Sequence, residues 1–331
     1  MKRQSIRFLL VAGVLCQALL LGPAFGALVD LVPVEAQFVM QINMAKVANL
    51  DLTQKVFDQF GATSADAEKA MKEFIEKTGI DPKKNLKSIV LFLTALTDSK
   101  TGQPVPGILF EGDYDTAHIL ELLKADKDLA GQLVMEKVEG FDAVKSKKAE
   151  TGTSVFLDKN TILIANADII KSVIQVKGGK AKGLMANPTF AKVVKQANPE
   201  VGLWGGVVVS PQWAKEAADN PVSANFGAVK AVLFTLSYDK NFAFELAGEV
   251  EKKEETAKVK DALKNTIDAM AAWANDVPDV AKALKGAVID GAETTAKLTL
   301  AMEKPALDEL IKKVQAQLNQ PAKEPAPAKG K

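Results

Sequence analysis

After Arg7 the chain contains no arginine, and after Cys16 it contains no cysteine. Everything beyond that point must fold without disulfides and without the planar, bidentate ion pairs that guanidinium groups make. Burial of apolar surface has to carry the stability. The chain is equipped for that, since 47% of its 331 residues are hydrophobic and a chain of this length can bury a sizeable core.

The exceptions lie in a leader. Met1–Gly26 reads as a secretory signal: Lys2, Arg3 and Arg7 form a positive start, Phe8–Leu21 is an apolar run interrupted only by Gln17, and Gly22-Pro23 breaks any helix. Ala24-Phe25-Gly26 puts small residues at −3 and −1, so cleavage is expected before Ala27. The apolar run is shorter than the ~20 residues a spanning helix needs, so no stable transmembrane anchor is expected after cleavage. Cys16 lies inside that run behind Gly13-Val14-Leu15, which does not suit lipid attachment. The expected location is periplasmic or extracellular.

Cleavage alters the charge balance. The 42 basic residues less Lys2, Arg3 and Arg7 leave 39 against 41 acidic ones, about −2. A near-neutral body whose strong bases are all lysine has neither the long-range field nor the fork geometry for nucleic acid, which is excluded as a partner.

Along the mature chain, strands alternate with helices. Gln37–Asn43 reads as a strand entered through Val32-Pro33. Val56, Phe57 and Phe60, then Ala67, Ala70, Met71, Phe74 and Ile75, recur at helical spacing, and Thr78-Gly79 marks a helix stop. Ser88–Leu96 is too continuously apolar for an exposed strand and pairs naturally with Val105–Glu111. A helix over Thr116–Leu123, short strands between Leu133 and Ile164, and a helix-like run over Ile169–Val176 follow. The later chain reads as a buried strand (Val201–Val209), a short helix near Pro211, a hairpin (Lys230–Tyr238 with Phe242–Val250) and a long amphipathic helix with Val259, Leu263, Ile267, Met270 and Ala274 on one side. A strand over Thr294–Met302 and a last helix carrying Leu307, Leu310, Ile311, Val314 and Leu318 complete it.

Ser154–Ile169 (SVFLDKNTILIANADI) and Thr235–Val250 (TLSYDKNFAFELAGEV) echo each other around Asp-Lys-Asn. Either this is an internal repeat or two tight turns have converged on the same residues, because Asn tolerates a left-handed backbone and Asp bonds its own turn amides. The wider order of elements favours a repeat. The expected fold is α+β, with two similar halves, each a mainly antiparallel sheet packed against amphipathic helices. The expected divisions are signal peptide 1–26, first module 27–185, second module 186–319 and a Pro/Ala/Lys tail over 320–331 that cannot pack a core.

Candidate chemistry is sparse. Asp115, His118 and Glu121 share one helix face and offer oxygen and imidazole ligands to a divalent cation. The competing reading is that Asp113 or Asp115 caps the helix while His118 faces water. Ser237-Tyr238-Asp239-Lys240 has a serine-x-x-lysine spacing but runs from a strand into a turn, the wrong context for an activated nucleophile. Lys177–Gly183 resembles a phosphate loop in composition only and reads as a glycine helix stop followed by a loop. Scattered carboxylates such as Asp30, Glu35 and Asp51 select no acid/base pair. Trp204, Trp213 and Trp273 either line a pocket or fill the core. Gly202, Gly205 and Gly206 around Trp204 imply that something approaches that strand closely, either a ligand or a neighbouring helix.

Val32-Pro33, Phe38-Val39-Met40, Lys77-Thr78-Gly79-Ile80-Asp81-Pro82, Ile162-Leu163-Ile164-Ala165 and Met185-Ala186-Asn187-Pro188-Thr189-Phe190 occur in an order that resembles a group of bacterial exported proteins of uncharacterised function. In that group two related α+β modules follow a signal peptide. The resemblance covers most of the mature chain and implies export and duplication. It carries no catalytic residues. The resemblance leaves function open; the sparse catalytic inventory, near-neutral charge and packed architecture lead to the expectation of a non-enzymatic envelope protein that binds or scaffolds a partner through a sheet surface or the groove between halves, with no cofactor. That partner is an envelope protein or a cell-wall polymer. Two alternatives stand beside it: a carrier of an apolar ligand such as a lipid, and a secreted hydrolase using carboxylates or a metal at Asp115/His118.

Overall fold

The computed structural model describes residues 28–47, 81–97, 104–126, 131–147, 152–194, 201–210, 226–238 and 241–318, with 72, 75, 76, 79, 214 and 215 as isolated positions. The leader, most of the two helices expected between Val56 and Ile75, Trp213, Asp239-Lys240 and the tail 320–331 lie outside the described residues.

The fold is α+β and is organised by one large antiparallel sheet. Its strands are β1 (Ala36–Asn43), β2 (Leu86–Thr97), β3 (Pro104–Gly112), β4 (Leu133–Val138), β5 (Phe141–Ser146), β6 (Thr153–Phe156), β7 (Thr161–Ala165), β8 (Leu203–Val208), β9 (Val229–Tyr238), β10 (Asn241–Val250), β11 (Val288–Ala292) and β12 (Thr295–Glu303). Their spatial order is β11-β12-β10-β9-β8-β1-β2-β3-β7-β6-β5-β4. The strands thus form one sheet and not one sheet per half. The junction is the antiparallel pair β1–β8, where Met40 stands opposite Gly205 and Ile42 opposite Leu203. Apart from Gln37, Gln41 and Asn43, both strands carry apolar residues on both faces, as central strands do.

The helices are α1 (Met44–Val47), α2 (Pro82–Asn85), α3 (Thr116–Ala125), α4 (Ala167–Lys177), α5 (Pro188–Val194), α6 (Lys253–Trp273), α7 (Pro278–Lys285) and α8 (Lys304–Leu318). Asn166 caps α4 by accepting from the Ile169 amide, and Gly178 ends it, with Gly179 at φ 68°. That is the helix stop expected of Lys177–Gly183. Gly79 likewise sits at φ 67° and donates its amide to Ile75 O at 2.8 Å.

The two sheet faces carry separate cores. On one face α4 and α5 bury Ile169, Ile170, Val173 and Phe190 against Val39, Val90, Phe92, Leu109, Leu163, Trp204 and Leu233. On the other, α6 and α7 pack Val259, Leu263, Ile267, Val280 and Leu284 against Leu298, Leu300 and Met302, and Leu307 of α8 joins them. The buried line on α6 runs through Ile267, Ala271 and Ala274, whereas Met270 points out and is 40% exposed. Met270 was expected on that stripe and Ala271 takes its place; nothing in the structure explains the exchange.

The α6 face holds an unbroken lateral row. Met135, Val144, Ser154, Ile164, Ile108, Leu91, Met40, Gly205, Phe234, Leu246, Leu298 and Ile289 stand opposite one another across all twelve strands. Only Ser154 is polar. On the α4 face the neighbouring row changes character at the junction, from Val155, Leu163, Leu109 and Val90 to Gln41, Trp204, Thr235 and Glu245.

The two Asp-Lys-Asn hairpins occupy different places in the sheet. β9–β10 lies next to the central strand β8, whereas β6–β7 is separated from central β1 by β2 and β3. In the described turn the Asp158 carboxylate accepts from the Asn160 amide, and Asn160 Nδ2 donates to Gly112 O at 2.8 Å. Lys177 of α4 closes the corner by pairing with Asp158 at 2.8 Å. Burial raises the Asp158 carboxyl, but hydrogen bonds from Lys177, Thr161 and Asn160 outweigh it and hold the group below its ordinary value. Tyr114, buried beside this corner and facing the negative charges of Glu111 and Asp158, is pushed well above the ordinary phenol value and donates its hydroxyl to Phe110 O at 3.0 Å.

Candidate functional site

Asp115 is the N-cap of α3. Its Oδ1 accepts from the Ala117 amide at 2.9 Å and from the His118 amide at 3.4 Å. His118 and Glu121 are exposed, and no cluster of three or more His, Cys, Asp or Glu that could hold a metal exists among the described residues. The structure therefore uses Asp115 for capping and does not gather the three side chains. Replacing Asp115 with Ala is expected to cost about 1 kcal/mol, localised to α3 and independent of added divalent cation, as read by thermal melts with and without metal.

Trp204 and its glycines sit at the junction of the sheet. Trp204 is 3% exposed. Its Nε1 donates to Gln41 Oε1 at 3.1 Å, and Gln41 Nε2 donates to Ser88 Oγ at 3.3 Å. A polar file thus crosses β8, β1 and β2 inside the core, with each donor satisfied. Gly202 anchors the end of the same strand, accepting at its carbonyl from the Asn43 amide at 3.1 Å.

The close neighbours implied by Gly205 and Gly206 are aromatic rings of this chain. Gly205 lies directly opposite Phe234, whose ring folds over it, and a Cβ at Gly205 would collide with that ring. Gly107 and Phe92 make the same pair on β3 and β2. These are glycines covered by a cross-strand aromatic, which restores the packing that glycine lacks. Gly206 points to the opposite face, where a Cβ would fall 2.7 Å from Phe190 Cε2 of α5. The Phe190 and Trp204 rings stand 6.4 Å apart and tilted by 47°, an aromatic contact at the long end of the favourable range.

A buried charge that sequence reasoning did not single out lies beside α5. Glu249 on β10 is 5% exposed. Its Oε1 takes the Lys192 ammonium of α5 and accepts from Thr294 Oγ1 at 2.6 Å, and its Oε2 accepts from Thr295 Oγ1 at 2.9 Å. Lys192 also donates to Thr294 Oγ1 at 2.9 Å. The strand register shifts between Glu249 and Val250, and such a bulge re-aims a side chain. Burial raises the Glu249 carboxyl, yet the hydrogen bonds from Lys192, Thr294 and Thr295 prevail and lower it below the ordinary glutamate value. A separate shallow depression is lined by Leu233, Thr235 and Ala247 and by the Glu245–Lys297 pair at 2.9 Å. The only sequence cue was a glutamate on the edge of an alternating strand, and such a residue ordinarily faces solvent.

Trp273 is part of the surface. Its ring lies 4.3 Å beneath Lys313 Nζ of α8, and Lys313 also donates to Trp273 O at 2.6 Å.

No family model, no curated protein and no solved structure matches the chain. The candidate site rests on its own geometry.

Proposed function

We propose that the chain is an exported, non-enzymatic envelope protein that binds or scaffolds a macromolecular partner, an envelope protein or a cell-wall polymer, across the broad surface of its sheet. The observation that carries this reading is the α6 face of β2, β3 and β7. Leu91, Ile108 and Phe110 pack there beside the buried Met40, Ile42 and Leu203 and, like Ile162 and Ile164, stay partly accessible, whereas α6, α7 and α8 cover the continuation of these rows over β10 and β12. A partly accessible apolar face fits a surface that a partner completes.

The same surface favours carriage of an apolar ligand as the second reading. Against it, the neighbourhood of Trp204 is filled by Phe190 and Phe234 instead of opening into a chamber. A carboxylate hydrolase has less support. Among the described residues Glu249 is the one buried carboxylate, and it faces a lysine and two hydroxyls, not a second acid.

We also read the sheet as two similar halves meeting at β1 and β8, each backed by amphipathic helices. Outward from the junction, β1-β2-β3-β7-β6 has the same connectivity as β8-β9-β10-β12-β11: a strand, a hairpin, and a second hairpin whose later strand pairs inward. The halves differ in their last helix, since α4 covers one face of the sheet and α8 the other.

Mass spectrometry of the protein isolated from its native envelope tests the function. The expected result is a mature chain beginning at Ala27 that co-purifies with a protein or polymer. A stoichiometric lipid would favour the carrier, and an intact Met1 on cytosolic material would overturn the proposal.

A further inference from the structure

α5 is short, and besides Val194, which is buried in the same core, two contacts fix it to the sheet. Phe190 is its plug, fully buried over Gly206 and against Trp204. Lys192 is its clasp, reaching from α5 to Glu249 on β10 and to Thr294 beside β12. The clasp joins an element that precedes β8 to strands on the far side of β9. Glu249 is buried and has three polar partners, while the ammonium it holds is half-exposed, so the buried member depends on the exposed one for its neutralising charge. Removing one partner of such a pair is costly because the other is left uncompensated.

We infer that α5 is a releasable strap: the Lys192–Glu249 clasp holds Phe190 in its notch, and losing the charge on either partner frees the helix and uncovers Gly206 and Trp204. The other charged groups flanking Glu249 on neighbouring strands, Lys297 with Glu245 and Lys230 with Glu251, are paired among themselves. They leave Lys192 as the countercharge. Because the folded-state carboxyl is lowered, the clasp is complete above the ordinary glutamate value and is lost as the pH falls through the depressed one. Release on acidification is therefore confined to pH values below the ordinary glutamate range.

Amide hydrogen exchange of the full chain tests the strap. In Glu249→Gln at neutral pH, protection at residues 191–194 is expected to fall by about 100-fold while protection across α7 is unchanged. Lys192→Met provides the second arm, since a change at a half-exposed lysine leaves the hydroxyl partners of Glu249 in place, and it is expected to loosen the same amides. Wild-type protection at 191–194 in Lys192→Met overturns the inference, whatever Glu249→Gln does. An equal loss in α7 overturns it too, because the pair would then be supporting the whole fold and not a local strap.

Discussion

Replacing Trp204 with Ala is expected to cause a large fall in the denaturant midpoint without altering the denaturant slope. Two losses coincide. Truncating a fully buried tryptophan costs about 3–5 kcal/mol in transfer and cavity terms. The truncation also deprives Gln41 Oε1 of its donor inside the core, and an orphaned buried acceptor adds about 1–3 kcal/mol. At roughly 2–4 °C per kcal/mol for chains of this order, the melting temperature should drop by about 10 °C or more. Trp204→Phe separates the terms, since it keeps most of the ring volume and loses the indole donor. Its cost should be close to the hydrogen-bond share alone. If Trp204→Ala proved no worse than Trp204→Phe, the packing role assigned to the ring would be wrong.

The second large effect lies one residue pair away. Phe190→Ala is expected to cost about 3–5 kcal/mol, as a buried phenyl does. Gly206→Val should cost about 1–3 kcal/mol by overpacking, because its Cβ would be driven into the Phe190 ring. Combined, the two should compensate: valine fills part of the space the ring vacates, and the double variant should be more stable than the sum of the singles by about 0.5–3 kcal/mol. Strict additivity in equilibrium unfolding would show that Phe190 and Gly206 do not share that space.

The sequence disclosed most of the strands because they satisfy two rules at once. Ser88–Leu96 and Val201–Val209 are continuously apolar, and the structure buries them at the centre of the sheet as β2 and β8. Phe242, Phe244 and Leu246 alternate, and β10 places all three on the α6 face. β11 escaped notice because Val-Ile-Asp-Gly-Ala has little pattern; it is an edge strand, and Val288 is 59% exposed. The sequence also did not reveal that all strands join in one sheet, since pairing between β1 and β8 links residues more than 160 positions apart, and periodicity is a local signal.

The site was legible in one respect. Three glycines around Trp204 announced a close approach, and rings from this chain make it. Phe190 and Phe234 as the occupants were not foreseeable, because a glycine records only that space is needed. Glu249 was invisible for a different reason. Its burial depends on Lys192 of α5, on Thr294 of the β11–β12 turn and on Thr295 at the start of β12, and no local pattern encodes such a meeting. The D-K-N echo was readable as turn chemistry. Its two copies lie on hairpins at non-equivalent places in the sheet, β6–β7 and β9–β10.

The seam between β1 and β8 also sets the order in which the molecule can be completed. Polypeptides are delivered from the amino end, so β1 can pair with β2 and then has to wait, one flank unsatisfied, until β8 arrives. During that interval Met40, Ile42 and the open backbone beside them present an adhesive border to any other chain nearby. Closing β1 onto β8 joins residues more than 160 positions apart, the kind of long-range pairing that slows folding.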